Sequence, residues 1–413
     1  MRGGRGSRPF RRVIIHDFAG HPFPFTLSRA LARRGVQVTH LYFAEDPGPK
    51  GAASPRPDDP DGLAITPVSL GRPYPKGRFW KRRLLDETYG RAIARKIGML
   101  RPDVVISGNA PPDAQKHILR ACRRAGAGFV FWLQDSFARG VRAVVGGRFG
   151  GLGSLIAAHY ERLEYGMLRA SDAVVVISDG FGDLLERAGV PPARRQEIPN
   201  WAAIEDIPVL EKDNSFAREK GWAGRFVFLY SGTLGLKHDP ALLRRLAEAF
   251  GEDPDVLVAV ASAGLGTDRL KEWQDQEPLA NLFLLPLQPM ARFSEMLAAA
   301  DVLVALIEPE AAGYSVPSKV LSYLCAGRAL LLSIPADNLA ARIVREADAG
   351  LIVEPGDHAG FLEAARRLRS DPELRARLGA NARRYAERAF DIEAITDRFE
   401  EVFRSALGGR AAA

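Results

Sequence analysis

Cysteine is nearly missing from this chain. Cys122 and Cys325 are the only two in 413 residues, far apart and without companions at metal-ligand spacing. That excludes a disulfide framework and a zinc site, and it makes a reducing cytoplasm the expected compartment. Long apolar runs are missing too, and no window approaches a membrane-spanning length. The basic start, Met1 to Arg12, leads into Val13-Ile14-Ile15 and the polar His16-Asp17 rather than into the apolar core of a secretion signal. Nor is there a large excess of one charge. With 57 basic and 50 acidic residues the net charge is +7, which favours anionic partners such as phosphates or lipid headgroups without naming one. What is present is ordinary globular composition, 46% hydrophobic and 26% charged, over a length that suits two domains of about 200 residues each.

The first half alternates short apolar runs with helical stretches. Val13-Ile14-Ile15, a helix around Leu27 to Arg34 and Val38 to Phe43 form a strand-helix-strand unit. Val104 to Ser107, a helix around Ala114 to Ala125, Phe129 to Leu133 and Ala173 to Ser178 continue it. Such continuous apolar runs suit parallel strands covered by helices on both faces. Asp46 to Asp61, rich in Pro, Gly and Asp, reads as a surface loop, and the glycine-rich Gly140 to Gly153 as a mobile one. The pattern restarts after a polar stretch at Glu211 to Gly224, with strands expected at Phe226 to Tyr230, Val256 to Val260, Leu282 to Leu285, Val302 to Leu306, Ala329 to Leu332 and Gly350 to Val353. Pro372 to Leu407 reads as helical and able to pack back across the first domain. The expected fold is α/β, two doubly wound Rossmann-like domains facing across a central cleft, with ligands at the carboxyl ends of the strands.

Several segments are able to carry chemistry. Tyr230-Ser231-Gly232-Thr233-Leu234-Gly235-Leu236-Lys237 offers glycines for close backbone approach to a phosphate and a lysine charge, although a strand, a glycine turn and a helix are also a common packing device. Gly313 to Arg328 holds Ser315 as a cap and Pro317 for a first helical turn, an anion-binding start or simply a well-capped helix ending at Gly327. Gln134 and Asp135 end a strand, where Asp135 serves as a base, a sugar-hydroxyl ligand or a loop bond. In the opening loop, Gly20 and His21 stand where the first strand meets the first helix; His21 is either reactive or structural. Arg78, Phe79, Trp80, Lys81, Arg82 and Arg83 interleave basic and aromatic residues, as a surface docking on anionic lipid does and as a solvated helix face does.

Taken in order, Trp132-Leu133-Gln134-Asp135, Ile198-Pro199-Asn200-Trp201, Tyr230 to Gly235, Leu285-Pro286-Leu287-Gln288-Pro289 and Val316-Pro317-Ser318-Lys319 give a chain that resembles the family 4 retaining glycosyltransferases of the GT-B fold nearly end to end. It is similar in particular to their bacterial exopolysaccharide branch with colanic-acid-type enzymes. The resemblance implies an acceptor domain over residues 1–205, a C-terminal helix over about 390–413 packing back on it, and a donor domain over 206–389. The implied donor is a UDP- or GDP-linked sugar. Its base lies near Leu287, its diphosphate near Gly232, Thr233, Leu234, Gly235 and Lys237, and its ribose and sugar near Tyr314, Ser315, Val316, Pro317, Ser318, Lys319 and Ser322, with Gly20 facing a donor phosphate. The acceptor, a saccharide or lipid-linked sugar, falls to His21, Gln134 and Asp135.

Lys237, Asp135, Gln134 and His21 are the implied catalytic set, with no metal, no cofactor and no nucleic acid. Many relatives have a His where this chain has Gln134. The family also commonly carries two glutamates before its Ala-Gly turn, where this chain has Tyr314 and Ser322, with Glu308 and Glu310 upstream. An epimerase acting on the same donor, a nucleic-acid-binding protein and an inactive scaffold are the rival readings. The expected location is cytoplasmic, at the inner face of the plasma membrane if the basic-aromatic surface docks there.

Overall fold

The computed structural model describes residues 9–46, 53–75, 79–145, 150–235, 238–309 and 318–411. Two compact units divide the chain: Met1–Asn200 together with Ile392–Ala413, and Trp201–Asp391.

In the first unit the order is β1 (Arg12–Asp17), α1 (Pro22–Arg33), β2 (Gln37–Phe43), β3 (Leu63–Val68), α2 (Phe79–Leu100), β4 (Val104–Gly108), α3 (Pro112–Ala125), β5 (Gly128–Leu133), α4 (Phe137–Val145), α5 (Gly150–Ala170), β6 (Ala173–Val176), α6 (Gly182–Arg187) and β7 (Arg195–Glu197). All strands pair in parallel, in the order β3-β2-β1-β4-β5-β6-β7. The central β4, β5 and β6 are buried along their whole length, which is why their sequences are unbroken apolar runs. Two strands depart from the sequence expectation, and both lie at the edges. β3 contains Pro67 and is mostly half-exposed, and β7 is the polar Arg-Gln-Glu. An edge strand has neither two covered faces nor two hydrogen-bonded sides, so it tolerates proline and need not carry the apolar signature. Gly140 to Gly153 also differs from the expected loop, because Gly140 lies inside α4 and Gly150 opens α5.

The second unit runs α7 (Ser215–Glu219), β8 (Phe226–Ser231), α8 (Pro240–Ala249), β9 (Val256–Ala261), α9 (Leu265–Gln276), β10 (Leu282–Leu285), α10 (Met290–Ala298), β11 (Val302–Leu306), α11 (Lys319–Ala326), β12 (Ala329–Ser333), α12 (Leu339–Ala347), β13 (Gly350–Val353), α13 (His358–Ser370) and α14 (Pro372–Ala389). Its parallel sheet has the order β10-β9-β8-β11-β12-β13. The expected single terminal helical stretch is divided near Phe390. Its second part, α15 (Ile392–Ala411), belongs to the first unit, where Arg34 at the end of α1 pairs with Glu393 (2.6 Å), Asp397 (2.6 Å) and Glu400 (3.4 Å). Phe399 meets Trp132 of β5 edge-on at 5.0 Å between ring centroids.

In each sheet the connections reverse direction once, between β1 and β4 in the first and between β8 and β11 in the second. Crevices open beyond the carboxyl ends of the strands at such reversals, and ligands of open α/β sheets bind there.

Candidate functional site

At the reversal of the second unit, β8 ends in a turn held from several sides. The Ser231 N–H donates to the Tyr323 hydroxyl (2.8 Å), which donates back to the Ser231 carbonyl (3.1 Å), so a side chain of α11 closes the end of β8. Burial raises the Tyr323 phenol and keeps its proton in place. The Tyr230 hydroxyl donates to the Thr233 carbonyl at 2.8 Å. Gly232 sits at φ +116°, and Leu234 packs so tightly on the start of α9 that a β-carbon on Gly264 would come within 2.8 Å of the Leu234 carbonyl oxygen. Three backbone N–H groups of this turn have protein acceptors: Gly232 donates to Ala261, Leu234 to Ala263 and Gly235 to the His238 ring.

The positive charge comes from the next segment. Lys319, the first residue of α11, places its Nζ 3.6 Å from the centroid of the Tyr230 ring. A β-carbon on Gly232 would stand 3.1 Å from its Cε and 3.4 Å from its Nζ, so the glycine also makes room for the lysine. The Nζ is buried and has no hydrogen-bond partner among the described residues. Burial alone holds its pKa well below the usual lysine range.

Ser318 is the exposed N-cap of α11 without a side-chain cap bond, and Ser322 lies half-buried one turn on. Leu287 stands exposed after β10. Lys237, Tyr314, Ser315, Val316 and Pro317 lie outside the described residues.

At the reversal of the first unit the charge is answered internally. Asp17 closes β1 with a fully buried carboxylate that accepts from the His21 backbone N–H (2.6 Å), the His21 Nδ1 (3.1 Å) and the Asn109 Nδ2 (2.7 Å). Asn109 holds φ +56° to do so, and Gly20 turns the chain at φ +72°. Burial pushes Asp17 upward, but the His21 charge and these hydrogen bonds outweigh it and hold the carboxyl below the usual range. For His21 burial acts downward, and the Asp17 charge and hydrogen bond, with the fields of Asp46 and Asp135, raise it above an ordinary imidazole. The ring is anchored through Nδ1 on Asp17, with 39% of its side chain exposed and its Nε2 edge turned away from that bond.

Gln134 turns inward, accepting from the Asn200 Nδ2 at 3.4 Å, while its own Nε2 has no partner among the described residues. Asp135 is exposed. The loop after them is fixed by Glu164 of α5, which accepts from the Ser136 hydroxyl (2.8 Å) and the Phe137 N–H (2.9 Å).

The basic-aromatic segment starts α2, with Arg78 and the Phe79 side chain outside the described residues. Trp80 and Leu84 are 70% and 67% exposed and share one helix face, with Lys81 exposed beside them. Arg82 instead packs on the Tyr74 and Phe137 rings (5.4 and 5.7 Å), 3.9 Å from Asp86, and Arg83 reaches within 3.6 Å of Asp113.

Asp17, Asn109, Tyr230 and Tyr323 received no role from the sequence. Only the Asp17 and His21 pair carries a sequence signal, an acid four residues before a histidine across a glycine turn.

Comparison with known proteins agrees with this layout. A family of glycosyl transferase 4-like domains matches residues 25–201, and the glycosyl transferases group 1 family matches residues 212–385. WcaI of Escherichia coli (strain K12), assigned to colanic acid biosynthesis as a glycosyl transferase, is 25% identical over 258 residues, which make up 60% of this chain and 61% of that protein. Among solved structures, sucrose-phosphate synthase from Thermosynechococcus elongatus superposes with a TM-score of 0.70 at 16% identity, covering 98% of this chain and 100% of its own. HepE of Anabaena, solved with UDP, gives 0.66 at 15% identity over 94% of this chain and 98% of its own. With both halves matched by such families and the two parallel sheets in place, the chain belongs to the family 4 glycosyltransferases of the GT-B fold.

Proposed function

We propose that this protein is a retaining, metal-independent glycosyltransferase that moves a sugar from a UDP- or GDP-linked donor to a saccharide or lipid-linked acceptor in bacterial polysaccharide assembly. The observation that carries the proposal is the buried Lys319 ammonium, without a hydrogen-bond partner among the described residues, over Tyr230 and against Gly232 at the reversal point of the second sheet. A cation in that position is stabilised by an anion entering the crevice, and a diphosphate is the anion that a sugar-nucleotide donor brings. HepE has been solved with both UDP and UDP-glucose.

The chemistry follows from the charge. As the bond between the anomeric carbon and the phosphate oxygen breaks, negative charge gathers on the leaving diphosphate, and Lys319 is placed to meet it where little water competes. The acceptor oxygen bonds to the anomeric carbon on the face the diphosphate leaves, and its proton passes to the leaving phosphate. His21, Gln134 and Asp135 are assigned to the acceptor. Ser318, Ser322 and Leu287 are assigned to the donor, with Lys237 and Tyr314 to Pro317. The protein is placed in the cytoplasm, with Trp80, Lys81 and Leu84 docking on the inner face of the membrane; among the described residues no helix is long and apolar enough to cross one.

The test is titration calorimetry with UDP and with GDP, followed by incubation with the matching sugar nucleotide and NMR of the product in excess EDTA. Saturable binding of one nucleotide, lost in Lys319→Ala, and a new glycoside with the donor's anomeric configuration are expected. Failure of both nucleotides to bind, inversion at the anomeric carbon, or turnover abolished by EDTA would each overturn its part of the proposal.

A further inference from the structure

The turn after β8 contains a contact that the proposed reaction does not use. The Gly235 N–H donates to the Nδ1 of His238 at 3.1 Å, and the His238 N–H returns to the Gly235 carbonyl at 3.3 Å. A backbone N–H only donates, so the imidazole nitrogen facing it has to offer a lone pair. Of the states open to a histidine, only the neutral ring with its proton on Nε2 does this. The protonated ring places a second donor against the first.

We propose that His238 is a tautomer-specific latch on Gly235 and the turn after β8, a positioning residue that keeps Gly232 to Gly235 ready for a nucleoside diphosphate sugar while neutral and releases them when protonated. The inference rests on the donor reading of the second unit. What it adds is a pH-dependence with a defined sign.

The turn is built so that this bond matters. The Tyr230 hydroxyl holds one side of it through the Thr233 carbonyl (2.8 Å), and the Tyr230 ring carries Lys319 on its face at 3.6 Å and meets the His238 ring edge-on at 6.2 Å. The His238 contact therefore fixes the last part of a turn whose first part is tied to the Lys319 cation. Asp239 follows His238 in the chain and caps α8; it lies 3.8 Å from His358 of α13, whose other nitrogen is 2.6 Å from Arg245 of α8.

A donor diphosphate touching His238 itself would act in the opposite sense, since its charge favours the protonated ring. The sign of the pH-dependence therefore separates a latch from a phosphate ligand.

The experiment has two readouts on the full chain. Nitrogen-15 shifts of the His238 ring at alkaline pH should show a bare Nδ1 and a protonated Nε2; a proton on Nδ1 overturns the latch. Calorimetric binding of UDP-glucose and of a GDP-sugar is then followed between about pH 5 and 8, using donors rather than free UDP because a diphosphate diester does not titrate there. Wild-type affinity should fall about fivefold as His238 protonates, the worth of one ordinary hydrogen bond. His238→Ala should bind at the weak acidic level throughout, and His238→Asn, which keeps an acceptor that does not titrate, should restore tight binding and flatten the profile. Tighter binding at acid pH that disappears in His238→Asn, and so does not come from Lys319, makes His238 a phosphate ligand and overturns the latch, as does a His238→Ala variant indistinguishable from wild type. If wild type binds neither donor at any pH, the donor reading falls and takes this inference with it.

Discussion

Replacing Lys319 by Met should make the protein more stable and its nucleotide binding worse. Met keeps the length and apolar contact of the lysine stem against Tyr230 and removes the one group there that has no partner among the described residues. Deleting an unsatisfied buried polar group recovers about 1–3 kcal/mol, and loss of the cation over the aromatic face returns up to about 2 kcal/mol of that. A net gain of roughly 1 kcal/mol corresponds to a rise of about 2–4 °C in Tm for a unit of this size. The sign of the pH-dependence follows from burial, which holds the folded lysine below its free value. The unfolded chain then binds more protons than the folded one, so wild-type stability rises with pH relative to the variant. The advantage of Met is therefore largest near neutral and acid pH and closes toward the free lysine value of about 10.4. Loss of a charge-assisted bond to a diphosphate costs about 1.5–3 kcal/mol, or about 10- to 150-fold in affinity. Thermal melts across pH and calorimetry with UDP and GDP measure both effects. A variant that melts lower and binds nucleotide as tightly as wild type would refute the reasoning.

Three other outcomes are expected. The His21 imidazole should titrate by NMR above the ordinary value of about 6.5, because its Asp17 ion pair outweighs burial. The stability from that pair is complete below the free value and is lost as pH rises through the folded one, and in Asp17→Asn the His21 midpoint should drop below 6.5; an unmoved midpoint contradicts the pairing. Gly264→Ala places a β-carbon 2.8 Å from the Leu234 carbonyl oxygen at φ +120°, so it should lose about 1–3 kcal/mol or more in denaturant melts, together with nucleotide binding. Tyr323→Phe unpairs the N–H and carbonyl of Ser231 without emptying the ring site, and a loss of about 1–3 kcal/mol should appear in the same melts.

The strands that were legible in the sequence are those whose residues form an unbroken apolar run: the buried central strands, where burial demands it, and also β10 and β13 at the edges of the second sheet. β3, interrupted by Pro67, and β7, the polar Arg-Gln-Glu, lie at the edges of the first sheet, lack that run and were invisible. The glycines at the start of α5 misled for a related reason. Each costs a helix about 1 kcal/mol, and packing of α5 against α3 and α4 overrides that local preference. At the site, the turn at Gly232 and the helix start at Lys319 were both legible as places where an anion fits. Their contact was not, because it depends on β8 lying beside β11, a pairing that no local pattern encodes. Arg82 and Arg83 show the converse. Read along the chain they are two more charges in a basic stretch, but Asp86 and Asp113, on α2 and α3, draw them toward the protein.

The two reversal points occupy the same topological position in their sheets and are built with opposite electrostatic logic. In the first unit the buried charge, Asp17, is surrounded by donors, from His21 and from Asn109 in a left-handed conformation, so its carboxylate is satisfied whether or not a ligand arrives. In the second unit the buried charge, Lys319, has an aromatic face beneath it and no acceptor among the described residues. A satisfied ion pair adds rigidity at the end of β1 and calls for no ligand. An unsatisfied ammonium lowers the stability of the empty site and is relieved when an anion binds, so part of the binding energy of a diphosphate is already stored in the fold. Anion binding should therefore be accompanied by proton uptake at alkaline pH, as the lysine returns toward its ordinary value. Calorimetry in buffers of different ionisation enthalpy measures that uptake, and proton release on binding would place the diphosphate away from Lys319.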